Sequence, residues 1–155
     1  MAGRLQQEIH QTKAIRLLEE ETSLNIVRTA DLLMQKLMVV LKPHALSPTQ
    51  YNVLRILRGA GNGGASCKDI GGRMVTPDPD ITRLMDRLER RGLLTRDRAK
   101  EDRRVVTHKL TPAGLELVNA LDDPIEQTHR EIMRHMAKGK LRELVALLEE
   151  LREGL

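Results

Sequence analysis

Between Pro79 and Gly114 the chain sets arginines at helical spacing and then follows them with a second, denser run of bases. Ile81, Leu84, Met85 and Leu88 stand at i, i+3, i+4 and i+7, the spacing of a helix that docks one apolar stripe on a core. Its other face carries Thr82, Arg83, Asp86, Arg87 and Arg90. Guanidinium groups in such a row can take two acceptors of a guanine edge at once or neutralise phosphates. Asp78 is expected to cap this helix with Pro79 at its first position, and Gly92 stands where a left-handed C-terminal cap would fall.

After Gly92, residues 93–98 and 103–110 flank a short polar turn at 99–102, and Thr95, Val105, Val106 and Thr107 favour paired strands. Residues 90–109 hold eight bases against three acids, a net +5. A hairpin that cationic suits phosphates or a narrow minor groove, where negative potential is concentrated.

The preceding segment must position that helix. Ser66 can cap a short helix with Asp69 three residues on, and Cys67, Ile70 and Met74 would line its inner side. Val75 to Asp78, with Thr76 and Pro77, then supplies a turn. A short helix, a tight turn and a second helix with a polar outer face make a helix-turn-helix, whose second helix can enter the major groove.

Ile81-Thr82-Arg83-Leu84, Leu88-Glu89, Gly92-Leu93, Asp102-Arg103-Arg104 and Leu110-Thr111-Pro112-Ala113-Gly114 follow one another in the order and spacing of a known pattern. This stretch resembles the winged helix-turn-helix of the MarR family of bacterial and archaeal transcription regulators. Upstream, residues 46–54 (LSPTQYNVL) resemble the family's helix leading into the DNA-binding lobe, so the likeness runs from about Leu24 to the C-terminus. The resemblance implies a mainly α fold with a small β-hairpin wing (α+β), in which helices from both termini join a winged lobe. It implies helical dimerisation regions at 1–46 and 112–155, and a DNA-binding lobe at 47–111. DNA contacts are expected from Lys68, Asp80, Thr82, Arg83, Arg87, Arg98, Lys100, Arg103 and Arg104. Arg103 resembles the family's wing-tip arginine that enters the minor groove, with Asp102 holding its neighbours in place. Asp80 has an alternative role at the positive end of its own helix, and Arg83 could pair with Asp86 on a solvated face. Asp86 either accepts from a cytosine amino group or orients a neighbouring arginine.

Composition bounds the rest. A chain of 155 residues with a net charge of +4 and one cysteine can bury a core of its own and forms no internal disulfide. No apolar run is longer than that from Leu37 to Leu41, which is too short to span a bilayer, no apolar leader block opens the chain, and the expected location is cytoplasmic. Charge is uneven: residues 1–46 carry +1, residues 47–111 carry +6 and residues 112–155 carry −3. The cationic surface is therefore expected on the middle lobe alone.

Val27, Ala30, Met34, Leu37 and Leu41, and again Leu141, Leu144, Val145, Leu148 and Leu151, form stripes that need partners. These could fold back on one chain; the resemblance implies instead that they pair two subunits into a homodimer and set two recognition helices about one turn of DNA apart. Thr111 is expected to cap a long helix running from Pro112 toward His135, with Gly139 breaking it before a final helix. Residues 59–64 (GAGNGG) read as a flexible loop.

Alternative chemistry has less support. Neither a phosphate loop, a nucleophile elbow nor an HExxH motif occurs, and Asp122-Asp123 beside Pro124 read as surface, so an enzyme is not expected. Five histidines, at 10, 44, 108, 129 and 135, show no i,i+4 pair, so neither a metal nor another cofactor is expected. Cys67 reads as core packing, with a cysteine-based redox sensor as the alternative, and Tyr51 as a core or interface residue. A dimeric helical interaction protein or anti-regulator on the same fold, without DNA binding, is the other alternative. With no Phe or Trp, any effector pocket would be aliphatic and methionine-lined, and disfavours a stacked aromatic ligand.

Overall fold

A computed structural model describes residues 4–98 and 106–155. The elements in chain order are α1 (Arg4–Glu8), α2 (Leu18–Leu41), α3 (Pro48–Ala60), β1 (Ala65–Ser66), α4 (Cys67–Arg73), α5 (Ile81–Arg90), β2 (Leu94–Arg98), β3 (Val106–Leu110), α6 (Pro112–Ala120), α7 (Asp122–Met133) and α8 (Lys138–Glu153). The expected mainly helical fold with a small antiparallel wing is what the chain adopts. Residues up to Asn119 form one compact unit, and Ala120–Leu155 a second.

In the first unit the sheet has the order β1-β3-β2, all antiparallel, with Ala65 opposite His108 and Leu94 opposite Leu110. Helix α3 packs on β3, α4 on β1 and β3, and α5 on β2. Val53, Leu54 and Leu57 of α3, Ile70 of α4, Met85 and Leu88 of α5 and Leu94 of β2 are fully buried among the core side chains of this unit. Local capping sets the element starts. Ser47 and Gln50 close a capping box at α3, and Ser66 and Asp69 close another at α4. The Ser66 hydroxyl donates to Asp69 at 2.6 Å, which holds that carboxyl below its ordinary range.

Two glycines bring the lobe's ends together. Gly92, at φ +69°, turns the chain out of α5, as its sequence position predicts. Thr111 then donates its hydroxyl to the Gly92 carbonyl at 2.6 Å and accepts from the Gly114 N–H at 3.0 Å, capping α6. A Cβ at Gly114 would lie 1.9 Å from the Leu93 carbonyl oxygen, so only glycine permits this approach.

Four local expectations need correction. The N-cap of α5 is Asp80; Asp78 instead accepts from the Asp80 N–H at 2.8 Å, one step earlier. Residues 59–64 are not an open loop: Gly59 and Ala60 finish α3, and Gly61–Gly63 form a 3-10 turn. The helix from Pro112 does not run on to His135 but stops at Ala120, with Leu121 outside both neighbours. Pro124, the third residue of α7, lacks the N–H that would bond back into α6, and its ring would crowd the preceding turn. Gly139 does not break the chain either, since it lies in the first turn of α8 and the break falls at residues 134–137.

Candidate nucleic-acid interface

Helix α5 divides as its spacing predicts. Leu84, Met85 and Leu88 are buried and Ile81 half-buried, while Thr82, Arg83, Arg87 and Arg90 are exposed. Helix α4 precedes it with an N-terminal cap of its own and packs against it, completing a helix-turn-helix. The turn between them is pinned from behind, because the Asn52 side-chain oxygen on α3 accepts from the Val75 N–H at 2.9 Å.

On the outer face, Arg83, Asp86, Arg87, Glu89 and Arg90 line an open depression of about 560 Å³. Asp80 accepts from the Arg83 N–H at 3.4 Å and pairs with the Arg83 guanidinium at 3.2 Å. Its carboxylate therefore serves the first turn of α5, and an exposed pair of this kind holds Arg83 only loosely. The Arg87 side chain has no hydrogen bond or ion pair among the described residues, and its head is free for an external acceptor. Asp86 is held by the Arg96 guanidinium, which also lies 3.5 Å from Glu89. Arg96 thus ties β2 to the helix and neutralises two carboxylates that would otherwise repel phosphate.

The remaining candidates fall apart into groups. Lys68 is exposed in the first turn of α4, and Arg98 is exposed at the end of β2. Lys100, Asp102, Arg103 and Arg104 lie outside the described residues. Arg96, Arg91 and Asn52 have structural partners that the sequence counted only as bulk charge or not at all. For Arg96 one signal was present: cross-strand pairing with β3 and the short link through Gly92 bring β2 alongside α5.

Cys67 is half-buried, and burial pushes its thiol above the ordinary range against the opposing pull of Arg96. A thiol kept protonated is a poor nucleophile. Among the described residues no group of three or more His, Cys, Asp or Glu side chains could hold a metal ion. No described helix is long and apolar enough to cross a membrane.

A capped short helix, a pinned turn and an arginine-faced second helix backed by an antiparallel wing define a winged helix-turn-helix protein. The family model described as MarR family matches residues 46–106. The homoprotocatechuate degradative operon repressor of Escherichia coli is 32% identical over 111 residues, covering 72% of this chain and 74% of that protein. This chain belongs to the MarR family, whose members are transcription regulators and not enzymes. The crystal structure of a MarR transcription factor from Planctomyces limnophilus is 40% identical, with a TM-score of 0.67 over 87% of this chain and 98% of that one. A structure of Bordetella bronchiseptica BpsR, described as showing how 6-hydroxynicotinic acid regulates its DNA binding, shares the fold at 22% identity, with a TM-score of 0.78 and coverage of 90% and 98%.

Proposed function

We propose that this regulator reads a pseudo-palindromic operator as a homodimer and represses by occupying it. The carrying observation is α5, whose Arg83 and Arg87 stand exposed over a buried apolar stripe in a helix-turn-helix. Two such helices related by a twofold axis would address half-sites about one helical turn apart, giving a site of roughly 16 to 20 base pairs. Thr82, Arg83 and Arg87 face base edges, and Lys68 and Arg98 face phosphates. Asp80 acts through Arg83, its ion-pair partner. In the wing, Arg103 enters the minor groove, Asp102 orients its neighbours, and Lys100 and Arg104 meet the backbone.

Unpartnered apolar side chains support the dimer. Val27 and Val39 on α2, and Val145, Leu147 and Leu151 on α8, are exposed in the single chain. Repression is the reading favoured by the Escherichia coli relative, which is itself an operon repressor. A small molecule that binds the two spacings of the recognition helices unequally would release the operator; in BpsR, which shares the fold, 6-hydroxynicotinic acid regulates DNA binding.

Arg87 provides the test. Arg87→Ala should cost about 1 to 3 kcal/mol on the best operator and less on random DNA, if the guanidinium reads a base edge. Equal losses on both, measured by fluorescence anisotropy, would reassign Arg87 to the backbone.

A further inference from the structure

One residue joins the end of α5 to the turn that follows α2. Arg91 is the C-terminal cap residue of α5, and its backbone N–H returns to the Arg87 and Glu89 carbonyls. Its guanidinium donates to the carbonyl oxygens of Ala45 and His44, at 2.6 and 2.8 Å, 46 and 47 positions away in sequence. Those carbonyls belong to the turn that closes α2. There the Ala45 N–H bonds to the Lys42 carbonyl and the Leu46 N–H to the Leu41 carbonyl.

The turn is a demanding place. Ala45 sits in the left-handed region at φ 50°, which a residue with a Cβ adopts only when its surroundings require it. Leu41 and Leu46 on either side are buried and fix its ends. The guanidinium brings a cation to the last carbonyls of the 3-10 turn that follows α2. The planar fork of arginine spans two adjacent carbonyls, which the single ammonium of lysine cannot do with the same geometry.

We infer that Arg91 is a positioning residue that locks the recognition helix to the end of α2. This rests on the proposed DNA-reading role of α5 and deepens it. Any displacement of the α2 terminus is carried to the C-terminal end of α5, while Asn52 pins the turn that leads into its N-terminal end. Arg91 therefore contributes orientation to DNA recognition, and its charge is engaged by protein carbonyls.

The test compares the full chain with Arg91→Ala and Arg91→Lys. Affinity is measured for the selected operator at several salt concentrations and for the same operator with one base pair inserted between half-sites. Amide hydrogen exchange is followed in the DNA-free proteins. Both variants should bind the operator about tenfold more weakly, the scale of one or two hydrogen bonds from a charged donor. Both should keep the wild-type salt slope, discriminate less against the inserted base pair, and exchange faster at residues 42–46. Full affinity in Arg91→Lys would show that charge alone matters, and a slope reduced by about one unit would show a phosphate contact; either result overturns the inference. Should the wild-type protein select no DNA, the DNA reading fails separately, and unchanged exchange at 42–46 in both variants would then overturn the clamp.

Discussion

His108 is the one buried polar side chain among the described residues, 1% exposed on the central strand between Ala65 and Arg96. Neither ring nitrogen has a hydrogen-bond partner there. Burial lowers its proton affinity most, and Arg96 lowers it further. The Ala65 backbone, close but outside hydrogen-bonding geometry, opposes this together with Glu89 and Asp86. The folded chain thus binds a proton here less readily than the unfolded chain, whose histidine titrates near its ordinary value of about 6.5. The resulting stability is fully present above that value and is lost as pH falls through the depressed folded value. Urea midpoints measured from pH 8 to pH 5 should fall for the wild type, and the fall should be smaller in His108→Leu; equal slopes would remove His108 from the account. Asp69, held low by Ser66, acts in the same direction but in a more acidic window. Sequence reading weighed His108 only as a metal ligand. Its burial was nevertheless available from the strand alternation that sets Val106, His108 and Leu110 on one face.

Among the elements, Gly114 gives the sharpest expectation. Gly114→Ala must move either α6 or the Leu93 carbonyl, at a cost toward the upper end of about 1 to 3 kcal/mol. Gly72→Ala in α4 meets no atom within 4 Å and should instead be neutral or stabilising by up to about 1 kcal/mol. Urea denaturation of both variants checks the contrast, and comparable midpoints would contradict the close packing. Elements were legible in the sequence where one strong local signal ruled. The stripe of α5, the cap pair Ser66–Asp69 and the cap residue Thr111 were of this kind. Boundaries were missed where two signals competed: Asp78 and Asp80 can each cap, and it is Asp80 that does so. Between α6 and α7 the apolar spacing of Leu115, Val118, Leu121 and Ile125 continues unbroken, masking the interruption that Pro124 imposes. The clamps made by Arg91 and Asn52 were not legible, because each joins residues brought together only by the tertiary fold.

For the whole molecule, the proposed dimer accounts for the apolar side chains exposed on α2 and on α8. Sedimentation at micromolar concentration should show a dimer, and Leu151→Asp should shift it toward monomer and weaken operator binding; a monomeric wild type would contradict the proposal. The concentration of positive charge in residues 47–111, against an acidic C-terminal third, makes the interaction salt-dependent in a way that separates roles. Arg103→Ala should weaken binding to all sequences and flatten the log-log salt slope by about one unit, whereas an unchanged slope would remove Arg103 from the interface. The central claim, sequence-specific reading by a dimer, is tested most directly by selecting bound duplexes from a random library and measuring their affinity at two salt concentrations. The account predicts enrichment of a twofold-symmetric site with half-sites about ten base pairs apart. No enriched sequence, with only weak and salt-sensitive binding, would contradict it.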